Sequence, residues 1–480
     1  MATSIRQRIL FRKPVPVGQD LIFSLKNDGI VNNEIQVKFV AQVHISDGEP
    51  PNLASTDDLI GTFKTVPNNA GAGIFNFRDI IESFVSSDNL TAFRALVKGE
   101  DDEEKNGGTY PLHIIDKFSR NRNLARHFAV QFHVEFLDQT VGSPTFNEIV
   151  QADFRNSSNH FIFNGYVFHD DTFQIGGPHG NSFGFDMRTH PNNYELGSST
   201  QARFMTNMPV RQFVNAKDYG TLLFFRNDTL DRFRITWTTH SGTGSSAFTL
   251  LLSSANGASS ATNLGSNIQR QFIYLGCGPA NIRQYISAFD TLLTAGDIDF
   301  YTITPQNNSN VQVGNTMRFT VNCPTLKGFE PIRLCWLNQW GGWDYYTFNM
   351  KSTKTFTTKG STYNQLGGSW DKVAYKLNSF KGGMKSFRMN TTEKITINTD
   401  YISEEEGKAF EVLINSPEVR ILTDYVEETS SEFDENANNN YVIPCRLTTQ
   451  SITRKTKAND NLIQFTFEIE KTKILRTQSI

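Results

Sequence analysis

Three clusters in this 480-residue chain carry side chains able to do chemistry. His169-Asp170-Asp171, with His179 and His190, gathers imidazoles and carboxylates of the kind that hold zinc or a harder ion. Their spacing matches no closed metal motif, and Gly176–Asn181 reads as an exposed loop, so surface histidines account for them better. Asp344 and Asp371 lie near a run of aromatics and could supply the two carboxylates of a glycosidase. Acidic residues beside hairpin turns are routine, however, and the pair has no further support. Arg454-Lys455-Thr456-Lys457 is a short basic run that reads as a solvated turn. The chain has no P-loop and no G-x-G-x-x-G after a strand. No catalytic residue, metal or cofactor is assigned, and the chain reads as a non-enzyme.

The densest stretch is Ile332–Phe348, where three of the five tryptophans fall within eight residues around Gly341-Gly342. Ile332, Leu334 and Trp336 share one face by alternation, and so do Trp343 and Tyr345. Two short aromatic strands joined across 338–342 predict a hairpin, because glycine supplies the positive φ of a tight connection. Trp340, Trp343, Asp344 and Tyr345 are the candidate ligand- or partner-binding residues: aromatic rings stack on sugars or seat a partner protein. The same rings also suit a β-sandwich core. Trp340 sits in the turn and departs from the alternation, so it is the ring expected to face a partner if any does.

The elements that must position these residues are strands. Ile35, Val37, Phe39, Ala41, Val43 and Ile45 alternate with polar residues, as do Phe128, Val130, Phe132, Val134 and Phe136, and later Ile463, Phe465, Phe467 and Ile469. His44, His127 and His133 fall on the polar side and are expected to face solvent. Further strands are expected at 161–167, 221–225, 233–238, 247–252, 272–275 and 300–304, with a hairpin inside 241–267. Asn281–Leu293 carries a helical stripe, and Ser403-Glu404-Glu405-Glu406 is a capping box opening a helix over 403–415 that Ser416-Pro417 ends. The fold class is mainly β: several β-sandwich-like domains with one or two short helices. Length argues for more than one core. The domains are placed at 1–145, 146–320 and 321–480.

Net charge is −3 and the isoelectric point is near 6.3, so no global basic field points to nucleic acid. No run approaches the ~18 apolar residues of a membrane span. Met1–Arg8 lacks the apolar core of a signal peptide, which predicts folding in the cytoplasm. Cys277, Cys323, Cys335 and Cys445 are widely spaced with no C-x-x-C pair, so free and mostly buried thiols are expected.

Three segments taken together carry a resemblance. They are Phe11–Leu21 leading through the first long strand to Thr65-Val66-Pro67-Asn68, then Ile332–Phe348, then Val412–Val419 followed by Val442-Ile443-Pro444. In order and texture the chain resembles tail and baseplate structural proteins of bacteriophages infecting Bacteroidetes and related marine bacteria. That resemblance implies a virion protein made in the host bacterial cytoplasm. It implies assembly with itself, as a ring, trimer or hexamer around the tail axis, and with other tail proteins as distal-tail, hub, ring or fibre-attachment component. The alternative is a host-surface glycan-binding protein using Trp340 and Trp343.

Overall fold

Two central strands set the frame of the N-terminal part. In the computed structural model, Ile35–Ser46 pairs with Ala125–Leu137 along most of its length, and the pair lies inside a six-stranded sheet. The structure describes residues 2–9, 14–90, 111–167, 182–183, 193–241, 245–252, 271–322, 328–423, 441–453, 463–473 and 475–476. The protein is mainly β, with five sheets among these residues. The His169–His190 cluster, Arg454–Lys457 and Cys323 lie outside them, as does most of the expected 241–267 hairpin. Its described strand, Ser245–Leu251, pairs antiparallel with Arg232–Thr239.

By contact density the described chain forms two units, one spanning Met1–Asn322 together with Leu337–Asp344, the other taking up the remainder after 322. In the first unit the six-stranded sheet faces a four-stranded sheet built from Ser4–Ile9, Ile22–Lys26, Ala72–Asn76 and Ser182–Phe183. Phe23, Phe39, Phe128 and Phe132 are fully buried in the core between them, and the ring of Phe23 lies 5.6 Å from that of Phe132. A second sandwich in this unit has a four-stranded sheet around Thr221–Arg226 and Phe272–Gly276 and a five-stranded sheet around Arg232–Thr239 and Ile298–Gln306. Its core holds Phe224, Phe233, Trp237, Ile273, Phe289 and Tyr301. Pairing runs straight across the expected 145/146 boundary: Ala125–Leu137 bonds to Ile149–Asn156 and to His160–Tyr166. Hydrogen-bonded strands on both sides of that point share one sheet and one core.

Apart from Leu337, Trp343 and Asp344, which fall in the first unit, the strands Ile332–Leu337, Trp343–Phe348, Val419–Leu422 and Thr466–Lys471 belong to the second, in one eight-stranded sheet. Helix Glu404–Asn415 covers it. Ser403 caps the helix, with both hydrogen bonds of the capping box formed, and Ala409, Phe410, Val412 and Leu413 are buried. The Phe410 ring meets Tyr346 at 5.0 Å and Phe467 at 5.5 Å. An amphipathic helix of three turns owes its stability mainly to such packing.

Three local expectations change. Asn281–Leu293 is two helices, Pro279–Ile282 and Ser287–Thr294, because Ile286 takes extended angles between them. Asn281 is fixed there by side-chain bonds to the carbonyls of His113 and Ile115 and from the amide of Gly220. Ile35 is 50% exposed instead of buried. Gln36 adopts φ 55° and the register slips between Ile35 and Lys38, and a one-residue slip turns a side chain to the other face. His44, His127 and His133 are buried, not solvent-facing. The polar face of their sheet is itself covered: His127 lies 4.4 Å from the Phe161 ring and donates to the Gly48 carbonyl at 2.9 Å. His133 stacks on Phe154 at 4.8 Å.

Candidate functional site

The turn 338–342 and the two residues after it belong to the first unit, and Asn338 organises them. Its side-chain oxygen accepts from the amides of Trp340 and Gly342 at 2.9 and 3.0 Å. Its side-chain nitrogen donates to the Met205 carbonyl at 3.1 Å and to Asp344 Oδ1 at 2.9 Å. The backbone closes the loop with Asn338 N–H donating to Gly342 C=O at 2.8 Å. Gly341 has φ +74°, and a Cβ there would stand 2.0 Å from the carbonyl oxygen of Asn164. Only glycine fits both the left-handed angle and that approach.

All four candidate residues are buried. Trp340 is 1% exposed, its ring 4.4 Å from that of Tyr194. Trp343 donates from its indole nitrogen to the Asp88 carbonyl at 2.9 Å and meets His113 edge-on at 5.0 Å. Tyr345, in the second unit, lies under the guanidinium of Arg333 at 5.2 Å. The idea that Trp340 faces a partner is therefore corrected. A turn that leaves the strand alternation can be pulled into a core when its polar groups find partners there. Gln339 and Asn207 supply them here through two reciprocal bonds, each at 3.1 Å.

Asp344 is a structural carboxylate. Oδ1 accepts from Thr206 Oγ1 and Asn338, and Oδ2 from the Asn207 amide at 3.0 Å. Burial pushes its pKa up to about 6, against the lowering effect of those three bonds. Asp371 is exposed in the second unit. A carboxylate whose oxygens are both engaged inside a core leaves no face for a sugar, so the glycosidase pairing loses its geometry. Asp88, accepting from Tyr274 at 3.2 Å, is likewise raised to about 6 by burial.

Cys277, Cys335 and Cys445 are buried and form no disulfide among the described residues. Burial pushes the Cys445 thiol up to about 12. It lines an open cavity of about 530 Å³ with Pro417, Val419, Arg446 and Gln450, and a thiol held that high is no nucleophile at neutral pH. Among the described residues no group of three or more His, Cys, Asp or Glu could hold a metal, and no helix is long and apolar enough to cross a membrane.

The surface that stands out lies elsewhere, in the second unit. Thr353–Gln365 and Gly383–Asn398 form an antiparallel arm of 13- and 16-residue strands, about 40 Å long at ~3.3 Å per residue. Thr353–Gln365 is the terminal strand of its sheet. Among the described residues Gly383–Met389 pairs with it alone, since Leu475–Arg476 and Thr466–Lys471 join only from Asn390 onward. Leu366, Trp370, Val373, Leu377, Phe380 and Met384 are exposed at the tip, Trp370 at 69%. The tip is internally ordered nonetheless. Trp370 Nε1 donates to the Gly367 carbonyl at 2.7 Å, the Ser369 amide donates to the Lys376 carbonyl at 2.9 Å, and the Trp370 and Tyr375 rings meet at 5.4 Å. Thr-rich β propensity, paired glycines at 367–368 and 382–383, and the run of lysines are the sequence signals for this arm.

The fold and these sites define a mainly β protein of stacked sheets with an exposed apolar arm. No protein-family model matches the chain, and none of the curated proteins compared with it matches. Among solved structures it is similar to Salmonella alpha-2-macroglobulin reacted with methylamine, at 7% identity over 97% of this chain and 23% of that one, with a TM-score of 0.17. For the native conformation of E. coli alpha-2-macroglobulin the values are 6%, 100% and 31%, with a TM-score of 0.18. The chain thus spans less than a third of the length of those proteins. At such scores the likeness carries no argument about this chain.

Proposed function

We propose that this chain is a non-enzymatic structural component of a bacteriophage tail, assembling with itself around the tail axis and contacting other tail proteins. The resemblance of its three segments to such proteins motivates the reading, and one structural observation supports it: the arm Thr353–Asn398. A two-stranded hairpin is marginal in water by itself. An exposed apolar cluster on a preformed tip marks an interaction surface, and a protein partner is the occupant that fits a tail component. Burial of Trp340, Trp343, Asp344 and Tyr345 removes the platform on which a glycan-binding reading rested. Mass spectrometry of purified virions, with light scattering on the isolated protein, tests the proposal. The chain is expected in the particles and in a defined oligomer. A strictly monomeric protein missing from virions would sink the reading.

A further inference from the structure

The arm carries a charge opposite to that of the rest of the chain. Residues Thr353–Asn398 hold eight basic and two acidic side chains, a net charge of +6. The remaining residues hold 38 basic and 47 acidic, a net charge of −9. The charges near the base of the arm are matched within the unit: Lys354 with Glu330, Lys394 with Glu468, and Lys471 with Glu393. Farther out, Lys359, Lys372, Lys376, Lys381, Lys385 and Arg388 form no ion pair among the described residues, and Asp371 is the one acid near them. Positive charge thus surrounds the exposed Trp370, Val373 and Leu377.

We propose that this arm docks on the acidic body of a second copy of the chain, so that copies associate head-to-tail. The proposal rests on the self-assembling reading above and names its contact. Charge decides the geometry. Two arms of net +6 repel each other, and lysine along the terminal strand blunts edge-to-edge pairing. An isologous arm-to-arm dimer is therefore disfavoured, whereas arm on body brings opposite charges together and buries the apolar tip. A heterologous contact of this kind leaves a free arm and a free acceptor at each step, so it closes into a ring or continues as a filament. The ordered tip lowers the entropy lost on docking.

The test uses the full-length protein. Size-exclusion chromatography with light scattering is run at 50 and 500 mM salt on the wild type and two variants. One carries Lys372→Glu, Lys376→Glu and Lys381→Glu; the other carries Trp370→Ser and Val373→Ser. The wild type is expected to form an oligomer that dissociates as salt rises, since surface charge is screened beyond ~10 Å at 0.1 M. Each variant is expected to weaken association at least tenfold, with circular dichroism and melting temperature unchanged. A photo-crosslinker at position 377 is expected to label residues outside 353–398 on another copy. Oligomers that persist in both variants, or crosslinks from arm to arm, would overturn the proposal. So would a monomer whose arm binds anionic phosphatidylglycerol vesicles. Detection in virions keeps the two readings separable: a virion protein whose assembly ignores the arm loses only this inference. A chain that oligomerises through the arm but is missing from virions loses only the tail assignment.

Discussion

Asn338 Nδ2 lies 2.9 Å from Asp344 Oδ1, and both side chains are buried. This bond ties the start of the 338–344 segment to its end. The same Asn338 side chain holds the amides of Trp340 and Gly342 and the carbonyl of Met205. Asn338→Ala removes four buried side-chain hydrogen bonds at once. At ~1–3 kcal/mol for an unsatisfied buried group, the variant is expected to lose at least ~3 kcal/mol. Thermal unfolding followed by tryptophan fluorescence checks this; a melting temperature within 2 °C of wild type, about the shift of a minor change, would contradict it.

Two glycines with similar angles should behave differently. Gly341 and Gly383 have φ of +74° and +80°. A Cβ on Gly341 would collide with the Asn164 carbonyl, while one on Gly383 meets nothing within 4 Å. Gly383→Ala is expected to cost ~1 kcal/mol, the strain of the left-handed region alone. Gly341→Ala is expected to cost ~3 kcal/mol or more, because a backbone must also move. Equal costs in urea denaturation would show that the close approach to Asn164 is not tight.

Acid should weaken the first sandwich through its histidines. Burial holds the pKa of His44 and of His133 below the ordinary 6.5. The folded state then binds fewer protons than the unfolded one, so their contribution is intact above pH 6.5 and is lost as pH falls below it. Asp58 faces His44, and Glu135 and Lys64 face His133. His133→Phe keeps a ring against Phe154 and removes the titration. Its melting temperature is expected to fall less than the wild type's between pH 7 and pH 5; parallel curves would exclude His133 as a contributor.

The buried carboxyls act in the opposite sense. Asp88 and Asp344 are each raised to about 6 from an ordinary 3.8. Their stabilising contribution is full below pH 3.8 and is lost as pH rises through about 6. Asp344→Asn is expected to be less stable than wild type at pH 4, where a mismatched amide replaces a protonated carboxyl. The gap is expected to narrow by pH 7. A gap that widens with pH would reverse the assigned shift.

The arm gives a prediction that needs no mutation. Lys372, Lys376 and Lys381 lie on the exposed tip. Trypsin is expected to cut there first in the unassembled protein, because exposed loop tips are the preferred sites of nicking. Assembly is expected to slow that cleavage at least tenfold. Cleavage that begins in Ile35–Ser46 or Glu404–Asn415 would show that the arm is not the accessible segment.

Sequence by itself determined whatever is decided within a few residues. The Ser403–Glu406 capping box set the start of its helix, since both bonds close inside one turn. Phe465, Phe467 and Ile469 alternate into the core because side-chain direction in a strand has period two. Tertiary structure alone decided which faces are covered. Histidine at 127 and 133 reads as solvent-facing until Phe161 and Phe154, brought over by strands 20 to 35 residues away, lie across them. Trp340 reads as an exposed turn residue until Tyr194 and Asn207 meet it and its neighbour from more than 130 residues away. Burial is a property of pairs of distant segments. Alternation within one segment shows which side chains share a face but not what, if anything, lies against it.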